Sequence, residues 1–247
     1  MSAPNQTPGR GRRQLNLPQP PLPVGGTKVI ALRLVGGMIG LWALLFLIGL
    51  AVTRVEDSGR GRPRELGVVV WFVVRRTDFW NTMTAIGSGL ANTETAIAVT
   101  AGFVLLLRWR LGRWYESWIL FAAMTGELFV FLAVTNTVHR ARPAVPRLDG
   151  APPTSSFPSG HIAAAVALYG CLAVLVLWIY GPRTAARVAA FVLCWIPVVV
   201  GVSRPYRGMH YPSDVLMGAV GGGLWLLLVI TTLLPRPCWP YRTEPRK

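Results

Sequence analysis

The sequence predicts an all-α, polytopic membrane protein: a bundle of six transmembrane helices with an interfacial helix between the first and second spans. Three observations carry this. Only 14% of the 247 residues are charged while 52% are hydrophobic, whereas a soluble domain carries roughly 25% charged residues. The apolar residues come in runs long enough to cross a bilayer. The polar residues collect in short clusters between those runs.

Net charge is +15, but the basic residues lie mostly at the termini and between apolar runs. A nucleic-acid binder would gather them on one folded domain, so they read as anionic-lipid contacts and topology signals, with no nucleic acid as partner. Cys171 and Cys194 sit inside apolar runs and Cys238 near the C-terminus. Three isolated cysteines give neither a disulfide framework nor a zinc site.

Residues 1–28 read as a disordered, basic, Pro-rich cytoplasmic tail, unable to bury enough apolar surface to fold alone. Its Pro18–Pro23 stretch suits a linker better than a polyproline ligand. The first apolar run starts too late and is too long for a signal peptide. Residues 29–234 form the membrane domain, and 235–247 a short basic C-terminal tail.

Val29–Val52 is the first span, with Gly36 and Gly40 spaced for close helix contact. Arg54–Glu65 is charged and glycine-rich, hence a loop. In Leu66–Leu90 the apolar core GVVVWFVV is too short to span and runs into Arg75, Arg76 and Asp78, which suits an interfacial helix. The second span is Ala91–Leu107, closed by Arg108, Arg110 and Arg113. Trp118–Val138 is the third, with Trp114, Tyr115 and Trp118 at its aromatic belt. Glu127 lies near its middle, where a carboxyl is costly; it reads as a structural, protonated or hydrogen-bonded residue. A proline-rich polar loop, His139–Phe157, follows. Ser159–Tyr180, Thr184–Val202 and Ser213–Leu234 are spans four to six. Six crossings put both termini on one side. A weak excess of lysine and arginine there favours the cytoplasm, leaving the polar clusters on the extracytoplasmic face of the cytoplasmic membrane.

Those clusters are His139, Arg140, Arg142 and Pro143; Pro158-Ser159-Gly160-His161; and Ser203, Arg204, Arg207, His210 and Asp214. The last is separated from the others by two spans, so the chain returns to the same face and the clusters can converge. Pro158–His161 sits where a loop becomes a helix, and free backbone N–H groups there favour an anion. Ser159 adds a hydroxyl, Gly160 permits close approach, and Arg142 and Arg204 offer forks matched to phosphate oxygens. No run of Asp or Glu is available to hold a divalent cation, so the site reads as metal-free and cofactor-free. His210 and Asp214 are four apart. Asp214 can take the proton of one ring nitrogen and leave the other as nucleophile, while His161 acts as general acid across the phosphate.

These residues resemble the type 2 phosphatidic acid phosphatase family, related to the vanadium haloperoxidases. The family pattern is Lys-x6-Arg-Pro, then Pro-Ser-Gly-His, then Ser-Arg-x5-His-x3-Asp. The second part is Pro158–His161, and the third runs from Ser203-Arg204 through His210 to Asp214. The first is half present: Arg142-Pro143 match, with Thr135 in the place of the lysine. Arg140 and Arg147, near in sequence, are the candidates for the missing charge. The resemblance covers roughly residues 80 to 230. It implies a six-helix bundle with its site at the membrane surface and catalysis without metal. His210 would be the phosphoryl-accepting nucleophile, Asp214 its orienting partner, and His161 the acid and then the base. Arg142, Ser159, Gly160 and Arg204 would hold the phosphate.

The expected function is hydrolysis of a lipid phosphomonoester or diphosphate through a phosphohistidine, with polyprenyl diphosphate as first candidate. Its partners are the lipid phosphate substrate and membrane lipids. The alternatives are phosphotransfer to an alcohol at the same site, and a non-catalytic lipid-phosphate binding or transport protein. Haloperoxidase chemistry fits least, because the spans put the site at lipid.

Overall fold

The computed structural model describes residues 26–57, 62–150 and 152–234. The tail beyond Leu234, and the N-terminal one up to residue 25, lie outside them. Among the described residues all regular structure is helical: α1 (Gly26–Asp57), α2 (Arg62–Val73), α3 (Asp78–Gly89), α4 (Thr93–Leu111), α5 (Tyr115–Thr137), α6 (Gly160–Tyr180), α7 (Thr184–Tyr206) and α8 (Pro212–Leu233). Helix α1 thus starts inside the stretch read as tail.

Helices α1, α5, α6, α7 and α8 are each long and apolar enough to cross a bilayer, and α3 and α4 pass jointly as one span bent by 49°. The protein is therefore an all-helical membrane bundle. Its surface confirms the solvent it is built for: Leu32, Phe191 and Trp195 are more than half exposed, as side chains facing hydrocarbon are.

Helix α6 is the centre, packed against α5, α7 and α8. Small residues make the packing close. A Cβ on Gly218 or Gly222 would collide with the backbone of Ser159 or Ala163, and one on Gly126 with the Trp225 ring. Without a hydrophobic driving force between helices, such contacts carry the association. At the end away from the clusters, Arg113 pairs with the fully buried Glu116. Helix α4 stops there at Gly112, in the left-handed conformation with φ +72°, which glycine adopts without strain.

The sequence reading departs from the structure at further boundaries: of the loop read over Arg54–Glu65, Arg54–Asp57 belong to α1 and residues 62–65 to α2. The single interfacial helix is two helices, α2 and α3. The chain breaks after Val73, and Thr77 starts α3 by accepting a hydrogen bond from the backbone N–H of Trp80. Helix α7 also runs to Tyr206 rather than Val202, which puts Ser203 and Arg204 on its last turn. The chain then reverses through Gly208, φ +75°, into Pro212 at the start of α8.

Candidate functional site

The loop before α6, the α7–α8 turn and the α3–α4 corner meet at one end of the bundle, around a cavity of about 1060 Å³. Arg142, His161, Arg204, Arg207 and His210 all line it. The even number of crossings does bring the clusters together.

His210 is buried, and its Nδ1 lies 2.8 Å from the backbone carbonyl of Ser156. A carbonyl only accepts, so Nδ1 carries the hydrogen and Nε2 is left with its lone pair. Nε2 sits 3.3 Å from Nη1 of Arg142. Burial pushes the imidazole below the usual histidine range; the Arg204 and Arg142 charges act the same way, against Asp214. The ring is a neutral base with its free nitrogen toward the arginines.

Asp214 stands beside His210 but makes no direct hydrogen bond to it. Its nearer oxygen is 3.7 Å from His210 Nδ1, beyond hydrogen-bond reach. One carboxylate oxygen instead pairs with Arg140. The other accepts from the Ser156 hydroxyl at 2.6 Å and the Tyr211 N–H at 2.9 Å. Asp214 therefore acts on His210 through Ser156: it fixes the residue whose carbonyl sets the imidazole tautomer. Behind it, Arg140 Nη2 reaches Glu65 of α2 at 2.5 Å, and the guanidinium lies 4.4 Å from the Tyr211 ring centroid.

His161, on the first turn of α6, holds its Nε2 2.9 Å from Asn92 Oδ1, at the corner where α4 begins. The amide oxygen accepts, so this nitrogen is protonated and available to donate.

Three of the four phosphate-holding candidates share one property. Among the described residues, five buried side-chain nitrogen or oxygen atoms lack a hydrogen-bond partner, and three of them are Arg142 Nε, Arg204 Nε and Ser159 Oγ. Such an orphan costs about 1–3 kcal/mol. Arg142 and Arg204 line the cavity, and Ser159 lies between Pro158 and Gly160, which do. Gly160 is pressed so close to the Phe131 ring that a Cβ would come to 2.8 Å of it.

Arg204 has a second neighbour. Its Nη1 donates to Ser88 Oγ at 2.6 Å and to Asp149 Oδ2 at 3.1 Å. Asp149 also receives Arg207, with contacts of 2.9, 2.8 and 2.5 Å. Burial alone would raise the Asp149 carboxyl, but the Arg207 hydrogen bonds and the two arginine charges hold it below the usual carboxylate range.

Arg140 and Arg147, read as stand-ins for the absent lysine, are not on the cavity wall; Arg140 is committed to Asp214 and Glu65. The third cation on the wall, beside Arg142 and Arg204, is Arg207. Thr135 is buried in α5 with its hydroxyl unpartnered. Sequence reasoning missed Asn92, Asp149, the Ser156 carbonyl and the place of Arg207. Of these Asp149 left a signal, as the only acid between Glu127 and Asp214.

The family model of the PAP2 superfamily matches residues 116–238. The chain is 32% identical over 142 residues to a lipid A 1-phosphatase of Rhizobium etli, an alignment spanning 52% of this chain and 57% of that relative. Its fold is similar to the crystal structure of the first transmembrane PAP2 type phosphatidylglycerolphosphate phosphatase from Bacillus subtilis, with TM-score 0.69 and 20% identity over 77% of this chain and 94% of the other. It is also similar to Aquifex aeolicus LpxE, with TM-score 0.53 and 19% identity over 67% and 94%.

Proposed function

Because the PAP2 superfamily model matches residues 116–238, we propose that the chain belongs to that superfamily and is an integral-membrane lipid phosphatase whose site is the cavity between His161 and His210. Residues 29–234 are its phosphatase domain, and the reaction is hydrolysis of a lipid phosphomonoester or diphosphate. The observation that carries the reading is the set of three unpartnered buried donors on Arg142, Arg204 and Ser159, with Arg142 3.3 Å from the free nitrogen of the His210 imidazole.

The chemistry follows from those atoms. Arg142, Arg204, the Ser159 hydroxyl and the backbone at Gly160 hold the phosphate oxygens and neutralise charge building on them. His210 Nε2 attacks phosphorus; the N–P bond forms as the bond to the lipid oxygen breaks. His161, protonated on both ring nitrogens in the substrate complex, gives its Nε2 proton to that leaving oxygen and becomes neutral. The Ser156 carbonyl stabilises the hydrogen that Nδ1 retains. In the second step His161 takes a proton from water, the water oxygen attacks phosphorus, and the N–P bond breaks to release phosphate and regenerate His210. Arginines and hydroxyls are the charge-neutralising groups throughout, which supports metal-independent catalysis.

The face is extracytoplasmic on the weak lysine and arginine bias of the loops. That face suits recycling of a carrier lipid, which makes polyprenyl diphosphate the first substrate to try. The deciding measurement is phosphate release from lipid phosphates by the purified full chain in detergent, with and without chelator. Release abolished by His210→Ala and indifferent to chelator is expected. Release that persists in His210→Ala overturns the nucleophile.

A further inference from the structure

The cavity does not end at the phosphate site. It continues between α4 and α5 along an apolar wall that includes Ala96, Ile97, Val104, Phe121, Met124 and Leu128. One carboxyl interrupts that wall. Glu127 of α5 lines the cavity and is 5% exposed, and its carboxyl has no hydrogen bond or ion pair among the described residues. Of the structural role read for it from sequence, protonated or hydrogen-bonded, the hydrogen-bonded form would require a protein partner, and it has none among the described residues. A polar group left in hydrocarbon without a partner costs several kcal/mol, and an ionisable residue inside a span marks a ligand path by default.

Its depth is fixed by its neighbours. Phe131 packs on Gly160, at the edge of the phosphate site. Glu127 is one turn away from Phe131 along α5, on the side remote from the site, hence about 6 Å below it. A second rung agrees. The Ser117 hydroxyl donates to the Val104 carbonyl at 2.8 Å, which sets α4 and α5 level there. Glu127 lies ten residues along α5 from Ser117 toward the site, about 15 Å nearer to it. The carboxyl therefore meets whatever part of a bound lipid lies just under its phosphate.

We propose that Glu127 is a substrate-specificity residue. It accepts a hydrogen bond from an O–H or N–H group that the lipid carries within about one helical turn of its phosphate. Resting on the lipid phosphatase reading, but displacing the polyprenyl candidate that the membrane face alone suggested, this narrows the substrate to phosphorylated lipids with a hydroxyl- or amide-bearing backbone, such as an acylated sugar or an acylated amino alcohol. A polyprenyl chain has no donor to offer there and leaves the carboxyl buried and unpaired. In either protonation state a carboxyl accepts such a bond, so the preference does not depend on its charge.

The test compares three probes: ceramide 1-phosphate, which has an amide N–H and a hydroxyl below its phosphate; phosphatidic acid of matched chain length, which has esters and no donor; and a polyprenyl phosphate. Binding is measured on the full chain in detergent in a His210→Ala background, so affinity is read without turnover. The expected result is ceramide 1-phosphate bound about three- to tenfold more tightly than phosphatidic acid. Glu127→Leu collapses that ratio toward one, and Glu127→Gln, which keeps an acceptor oxygen, retains most of it. Equal affinities for all three lipids, or a ratio that survives Glu127→Leu, overturns the proposal. So does a parallel loss of affinity for every probe, which is what a merely structural glutamate would give. Absence of turnover with His210 intact overturns the phosphatase reading instead and leaves the binding ratio to decide this one.

Discussion

The carboxylate of Asp149 lies on the guanidinium of Arg204, 3.1 Å from its Nη1, and bridges it to Arg207. A carboxylate there takes one donor of the guanidinium that a phosphate would use, and leaves Nε open. It stays ionised at neutral pH because the two arginines outweigh the effect of burial.

Asp149 therefore competes with phosphate for Arg204. Asp149→Asn is expected to tighten inhibition by inorganic phosphate about two- to fivefold, the range of a partly exposed ion pair. Inhibition constants measured side by side in detergent check this, and weaker inhibition in the variant would make Asp149 a support for the arginines rather than a competitor.

Arg140 is a buried partner of a fully buried carboxylate. Removing it leaves Asp214 charged and unpaired, so Arg140→Met should cost about 3–5 kcal/mol of stability. Asp214→Asn in the same chain should restore much of that loss, because the two sites share one interaction. Thermal unfolding of the single and double variants reads the coupling, and additive losses would contradict it.

The pH dependence follows from His210. Its folded value lies below the ordinary 6.5, first through burial and then through Arg204 and Arg142. A lowered value keeps the ring unprotonated, and hence nucleophilic, to lower pH. The acid limb of kcat/KM should accordingly fall below pH 6.5, since kcat/KM reports the free enzyme. A limb above pH 6.5 would mean that the ring is charged in the resting site.

Asn92 touches the imidazole of His161 at 2.9 Å and reaches no other site residue by a hydrogen bond. As a positioning residue it should act on the rate: Asn92→Ala is expected to lower kcat about tenfold with KM nearly unchanged, and Asn92→Asp to restore part of it by keeping the acceptor. A change confined to KM would place Asn92 on the substrate instead.

The long apolar runs made the bundle legible in the sequence, and the count of crossings between motifs made the meeting of the two histidines legible. The α2–α3 break was not, because a short apolar run ending in Arg75 and Arg76 fits one helix or two, and only the Thr77 cap decides. In the site, the residues with chemistry of their own stood out. The spacing of His210 and Asp214 suggested a direct bond, but the capping of α8 turns that carboxylate toward Tyr211 N–H, Ser156 and Arg140. The carbonyl that replaces it is backbone, which every residue has, so nothing in the sequence marks Ser156 for that part.

Gly218 lets α8 lie directly on the carbonyl of Ser159, and the Ser159 N–H donates back to the Asp214 carbonyl at 3.0 Å. The stems bearing the two imidazoles are thus fastened along a single seam, and their separation is a constant of the scaffold. The opposite bank is held by tethers of its own instead: the Leu148 N–H on the Arg207 carbonyl at 3.1 Å for the loop carrying Asp149, and the Tyr169 hydroxyl on the Leu90 carbonyl at 2.6 Å for the corner at Asn92.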